Sequence, residues 1–287
     1  MWIANSYAKI NLGLHVLEKL PTGYHRIETG FCFIEWSDRF EITVSEEYKL
    51  TLSEPSVPAD ENNLITKAYR AFEQYVGLKQ NYSFSVTKNI PAGAGLGGGS
   101  SNAALTFRIL NKIEESGLSN EELIDLSRSL GADIPFFVKG KPGIGTGLGQ
   151  DIEALDIQPD AWIVAVNPGI ESSTPEIYAL CTPNPEPDFS IKGVLLEEEI
   201  DQWEYLLSND LEPPVIARHE LIGNIKDQMK EFGASYASMS GSGSTVYGIF
   251  EQDFVAVNAY ESFYKLGFAA NLTRPGFTPD LGIYRSD

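Results

Sequence analysis

The residues with the clearest chemical purpose form one run, Pro91-Ala92-Gly93-Ala94-Gly95-Leu96-Gly97-Gly98-Gly99-Ser100-Ser101-Asn102. Its closely spaced glycines let the backbone curl tightly and turn N–H groups outward. Ser100 and Ser101 open a helical pattern with Ala103, Phe107 and Leu110 at i, i+4 and i+7. A helix N-terminus carries partial positive charge and unpaired N–H donors, so the segment reads as a phosphate cradle. The alternative is a flexible connector, but a connector needs no helix start fused to it. Two familiar phosphate motifs fit poorly. Gly93–Gly98 formally matches GxGxxG, yet Lys88-Asn89-Ile90-Pro91 separates it from the strand expected at Ser83–Thr87, and the strands before it lack crossover helices. A Walker loop needs Gly-Lys-Ser/Thr, and the Gly140-Lys141 pair runs into Pro142.

A second chemical surface opens the chain. Ala8, Ile10, Leu12, Leu14 and Val16 alternate with Lys9, Asn11, Gly13 and His15. A strand there places Lys9, Asn11 and His15 on one face, able to line a cleft while the other face fills a core. Asp133 follows the Gly131 helix stop and precedes Pro135, and on that pattern alone it reads as a capping or turn aspartate.

These groups must be held by a mixed scaffold. Strands are expected at Tyr24–Trp36, Phe40–Val44, Ser83–Thr87, Trp162–Val166 and Thr245–Phe250. Helices are expected at Asn63–Val76, from Ser100, from the Ser119/Glu122 capping box to Gly131, and across Lys192–Leu207, Pro214–Phe232 and Val255–Leu266. The interleaving lacks a regular βαβ rhythm, which favours α+β over a doubly wound sheet. A shift in composition around Asp151–Pro159 suggests two domains, 1–152 and 153–287.

The 287 residues are 43% hydrophobic, enough for a large core. The net charge of −19 disfavours a nucleic-acid partner, while local cations and aimed amides can still take a small anion. Two distant cysteines, Cys32 and Cys181, make no disulfide framework and fit a reducing cytoplasm. Lys9 and Asn11 interrupt the opening apolar stretch, so it does not read as a secretory leader, and no apolar run is long enough to span a membrane. His15, His25 and His219 make no metal cluster.

At the glycine loop the chain resembles the GHMP kinase superfamily, whose phosphate loop has the form P-x-G-x-G-L-G-x-[GS]-S. The resemblance continues in order through Ala8-Lys9-Ile10-Asn11-Leu12, Gly23-Tyr24-His25 with Thr29, Gly131-Ala132-Asp133-Ile134-Pro135-Phe136-Phe137, Asn167-Pro168-Gly169, Ser173-Thr174-Pro175-Glu176-Ile177-Tyr178 and Ser240-Gly241-Ser242-Gly243-Ser244. It departs at Ala94, where the family usually has Gly, and at Ser240, where it often has Thr.

The resemblance implies a two-domain fold with its active site between the domains. It also implies an ATP-dependent small-molecule kinase, most like a member that acts on a cytidine-diphosphate sugar alcohol in isoprenoid precursor synthesis. By the same resemblance Asp133 faces the acceptor hydroxyl as base and Lys9 stands beside it and the transferred phosphoryl group. Pro91, Gly93, Gly95, Leu96, Gly97, Gly98, Gly99, Ser100 and Ser101 hold ATP phosphates, and Asn63 and Leu64 flank adenine. Asn11, Tyr24, His25, Thr174, Tyr178, Gly241 and Gly243 meet the acceptor, with Tyr24 and Tyr178 on either face of a cytosine and His25 on its edge. Magnesium is implied with ATP, with no ligand set singled out. Bland readings stand beside these: half-buried packing for a single tyrosine, an N-cap for Thr174 before Pro175, an ordinary helix start at Asn63, and a tight β turn at Gly241 and Gly243. Another kinase of the superfamily, acting on homoserine, mevalonate or a sugar, is the alternative. It would have no use for Gly23-Tyr24-His25 and Tyr178.

Overall fold

In a computed structural model, which describes residues 1–286, the chain opens as a long antiparallel ribbon of β1 (Trp2–Lys19) and β2 (His25–Ser45). The two strands expected at 24–36 and 40–44 are this one strand, which runs on through Ser37–Arg39. β3 (Lys49–Leu52) lies parallel to β4 (Asn81–Thr87), and β4 pairs antiparallel with β2. β5 (Gly143–Thr146) pairs with β2 and with β6 (Asp151–Ala154), two strands hidden in a glycine-rich sequence. A second sheet has the order β10-β7-β9-β8, all antiparallel: β7 (Trp162–Asn167), β8 (Tyr236–Met239), β9 (Val246–Phe250) and β10 (Ala269–Thr273). β11 (Tyr284–Arg285) returns to the edge of β1.

The helices pack outside these sheets. α1 (Leu64–Val76), α2 (Gly98–Ile113), α3 (Asn120–Ser127) and α4 (Ile134–Lys139) share the first core with the ribbon, through Phe72, Phe107, Leu110 and Phe136 against Phe31, Phe33 and Phe84. Burial of such a side chain contributes about 1.5–3 kcal/mol. α5 (Thr174–Leu180), α6 (Ile191–Glu197), α7 (Trp203–Leu206), α8 (Glu212–Arg218), α9 (Glu220–Glu231) and α10 (Asp253–Lys265) belong to the second half. Between the sheets, Ala8, Ile10, Leu12, Cys32 and Ile34 pack on Ile163, Ala165, Tyr247 and Ile249. Helices cover one side of the ribbon and a sheet the other, so residues 8–16 are buried throughout. The fold is α+β.

Two local outcomes bear on the site. The Ser119/Glu122 capping box forms in both directions, but α3 ends at Ser127, short of Gly131. In β1 the expected alternation fails at Gly13, which has φ 73° and sits at a register shift between Leu12 and Leu14. One extra residue reverses the parity of the strand beyond it. Leu14 therefore joins Lys9 and Asn11 along the cleft, and His15 does not, contrary to the alternation expected from the sequence.

Candidate active site

A cleft of 1410 Å³ runs between β1, the Leu20–Tyr24 turn, the glycine loop, the start of α2, Gly131–Asp133, α5 and the Ser240–Ser244 loop. Every sequence-predicted site residue lines it except Ser101 and Gly243. Ser101 lies behind the wall, where its hydroxyl donates to the Tyr7 carbonyl and meets the Ser6 hydroxyl.

Lys9 projects from β1 and is 4% exposed. Its Nζ donates to Asn11 Oδ1 at 2.6 Å and to the Gly95 carbonyl at 3.0 Å, and stands 3.5 Å from Asp133 Oδ2. The Phe31 ring lies 5.4 Å from it. Asn11 is held in turn, because its Nδ2 donates to Thr29 Oγ1, which donates to the Gly13 carbonyl. The ammonium is thus fixed by three oxygens in a largely dry setting, where electrostatic interactions are strong.

Asp133 occupies the N-cap position of α4, but its side chain makes no capping bond. The carboxylate is 32% exposed, faces Lys9, and is the one carboxylate lining the cleft among the described residues. The capping reading suggested by its sequence context therefore does not hold.

The glycine loop locks onto β1 and onto the Ser240–Ser244 loop, the third loop of the site. Lys9 N–H donates to the Leu96 carbonyl, Thr245 N–H to the Ala94 carbonyl, and Ser240 Oγ to the Gly95 carbonyl at 2.8 Å. At Gly95, with φ 75°, a Cβ would fall 2.1 Å from the Ser240 carbonyl oxygen. At Gly97, with φ 67°, it would fall 2.8 Å from Phe137 Cζ and 3.1 Å from Lys9 Cε. These contacts and left-handed angles require glycine. Ala94 is outside the left-handed region, so its methyl group brings no backbone strain. α2 starts at Gly98, two residues before the Ser100 expected, and no side chain caps it. Its first-turn N–H groups therefore remain available at the cleft.

At the far end, His25 stacks on Tyr178 with ring centroids 5.1 Å apart and planes 27° apart, while Tyr24 is 65% exposed. Burial first, then Lys19, lowers the His25 pKa below its ordinary 6.5. Burial, then the Asp133 carboxylate, pushes the Tyr178 hydroxyl upward. Ser173 is the N-cap residue of α5, and Thr174 instead shares a 2.7 Å hydrogen bond with Ser242 Oγ. Asn63 caps α1: its Oδ1 accepts from Ile65 N–H and its Nδ2 donates to the Pro58 carbonyl. That side chain is committed locally, and Leu64 follows it along the cleft wall.

Sequence reasoning missed the support behind the loop. Buried Asp38 accepts from the Asn89 and Ile90 N–H groups and from Asn102 Nδ2, and pairs with Lys88. Asn102 also accepts from Lys88. This network grips both flanks of the glycine run, and Lys88 and Asn102 reach the cleft. The acidic residue comes from a distant strand, and no local pattern announces it.

No group of three His, Cys, Asp or Glu could hold a metal among the described residues. A magnesium ion carried on nucleotide phosphates needs only one or two side chains and water, and the Asp133 carboxylate beside the start of α2 is compatible with that.

Comparison with known proteins identifies relatives of the chain as a whole. Residues 63–141 match the model of the GHMP kinases N terminal domain, and 192–268 that of the GHMP kinases C terminal. A 4-diphosphocytidyl-2-C-methyl-D-erythritol kinase from Chlorobium phaeobacteroides (strain BS1) is 38% identical, over 95% of this chain and 97% of that one. A crystal structure of 4-(cytidine 5'-diphospho)-2C-methyl-D-erythritol kinase superposes with TM-score 0.80 at 29% identity, over 96% of this chain and all of that one. A homoserine kinase from Cytophaga hutchinsonii ATCC 33406 has TM-score 0.68 at 14% identity over 98% and 97% of the two chains, a likeness of fold alone.

Proposed function

The chain belongs to the GHMP kinases, and from that premise we propose that it transfers the γ-phosphoryl group of ATP to the 2-hydroxyl of 4-diphosphocytidyl-2-C-methyl-D-erythritol, a step of non-mevalonate isoprenoid precursor synthesis in the cytoplasm. The observation that carries the reading is the Lys9–Asp133 pair set beside an uncapped, glycine-lined helix start.

The roles are those the family resemblance implies, and the geometry is compatible with them. The first-turn amides of α2 and the Gly93–Gly99 backbone hold the ATP phosphates, and the wall at Asn63 and Leu64 takes the adenine side. Asp133 accepts the proton of the acceptor hydroxyl as its oxygen bonds to the γ-phosphorus, while the bridging β–γ P–O bond breaks and ADP leaves. Lys9 stabilises negative charge gathered on the reacting oxygens. Magnesium, bound through the phosphates, adds charge neutralisation when present. Tyr24, His25 and Tyr178 take the cytosine, with Asn11, Thr174 and Gly241, which line the cleft, supporting the acceptor. The exposed Tyr24 and the His25–Tyr178 pair offer aromatic surface to the base at this end of the cleft. The division at 152/153 is also our proposal. It is supported by two sheets of different composition, although β6 spans that point and β11 rejoins the first sheet.

The test is ADP release with four acceptors: the cytidyl-diphosphate methylerythritol, mevalonate, homoserine and galactose. Turnover confined to the first is the outcome this reading requires. Faster turnover of any other acceptor would reassign the chain within the same family.

A further inference from the structure

The third loop must be held at a fixed distance from Lys9, and a side chain that belongs neither to that loop nor to β1 or the glycine loop is placed to do so. Asn209 is 4% exposed, in the segment that joins α7 to α8. Its Nδ2 donates to two carbonyls, those of Met239 and Gly241, each at 2.8 Å, and its Oδ1 accepts from Leu211 N–H at 3.0 Å. Both donors and the acceptor of the amide are therefore engaged by the backbone, an arrangement that few other side chains can satisfy.

The segment is anchored to β1 as firmly as to the loop. Leu14 N–H donates to the Ser208 carbonyl, Asp210 N–H donates to the Leu14 carbonyl, and Val16 N–H donates to Asp210 Oδ2. The Gly13 bulge makes room: a Cβ there would come within 3.3 Å of the Ser208 carbonyl oxygen. Gly241, the residue gripped by Asn209, in turn abuts the reaction end. A Cβ on it would stand 3.0 Å from Asn11 Oδ1 and 3.7 Å from Lys9 Nζ. The segment thus ties the strand that carries Lys9 and Asn11 to the loop beside them, with Ser208 and Asp210 holding the strand and the Asn209 amide holding the loop.

We propose that Asn209 is a positioning residue for phosphoryl transfer, acting through the Met239 and Gly241 carbonyls to hold the third loop against Lys9 and Asn11. The proposal rests on the kinase reading above. Misplacement of the loop by a fraction of an ångström lowers the fraction of bound complexes in attack geometry, so the loss falls on kcat. The third loop meets the glycine loop through Ser240 and Thr245, neither of which Asn209 bonds, so ATP affinity falls less than kcat.

The experiment compares wild type, Asn209→Asp and the milder Asn209→Ser. Asn209→Asp keeps the shape but replaces the double donor by an acceptor. Steady-state kinetics with the cytidyl-diphosphate methylerythritol are paired with thermal unfolding and ATP titration. The expected result is a kcat lowered about 10–100-fold in Asn209→Asp and less in Asn209→Ser, with ATP affinity within about twofold of wild type. If folded Asn209→Asp and Asn209→Ser both keep wild-type kcat, or if kcat and ATP affinity fall together in step with the folded fraction, Asn209 does not position the loop. Wild-type inactivity on this acceptor would overturn the kinase reading and this proposal with it. Wild-type turnover with an indifferent variant overturns this proposal alone.

Discussion

At the reaction end of the cleft, Lys9, Asn11, Gly95 and Ser240 bind one another directly, and backbone bonds from Lys9 and Thr245 seal the glycine loop between β1 and the third loop. At the end proposed to take the base, Tyr24 is largely exposed, and His25 and Tyr178 rest on each other. The first region is built before ligands arrive. The second is aromatic surface with Tyr24 largely open to solvent. This division suits a kinase, because charge stabilisation demands donors fixed in advance, whereas a remote base can contribute its binding energy through contacts that form on arrival.

The comparison is broken most severely by Asp133→Asn. Loss of the base should lower kcat by about 10²–10⁴-fold, with the fold and ATP binding retained. Near wild-type turnover at saturating substrates would remove Asp133 from the chemistry. Gly97→Val comes next. It places a β-branched side chain at φ 67° against Phe137 and Lys9. Strain of about 1–3 kcal/mol should fall on ATP affinity. An unchanged ATP titration would show that the loop does not cradle phosphate.

At the aromatic end, effects should appear in the KM of the acceptor and leave that of ATP alone. Tyr24→Ala is expected to weaken acceptor use by about 1–3 kcal/mol, and Tyr24→Phe by much less, because the aromatic face survives. CMP should compete with the acceptor better than UMP. Equal competition would mean that the pocket reads only ribose and phosphate. The smallest effect is on pH. With its pKa below 6.5, His25 is neutral near pH 7 and gains a proton as the medium acidifies, which turns its ring acceptor into a second donor. The KM of the acceptor should therefore rise on acidification below pH 6.5, and His25→Gln should abolish that dependence. The same rise in His25→Gln would place the titrating group elsewhere.

Much of the reaction end was legible in the sequence. Glycine spacing fused to a helix start is a local signal, and so is a lysine alternating with apolar residues. What failed was parity beyond Gly13: one left-handed residue shifted the register and put Leu14 where His15 was expected. Asp133 was ambiguous locally, since a missing capping bond is visible only in three dimensions. The strands β5 and β6 were hidden because glycine carries no side-chain periodicity. Asp38 with Lys88, and Asn209 with Met239 and Gly241, join residues far apart in the chain. Partners of that kind are fixed by the fold and leave no mark on their own neighbourhoods.

Phosphorus NMR of the wild-type reaction tests the central claim most directly. With ATP, magnesium and the cytidyl-diphosphate methylerythritol, the account predicts ADP and a new phosphomonoester on the 2-hydroxyl in equal amounts. Release of inorganic phosphate without a phosphorylated alcohol, or of AMP and pyrophosphate, would contradict it.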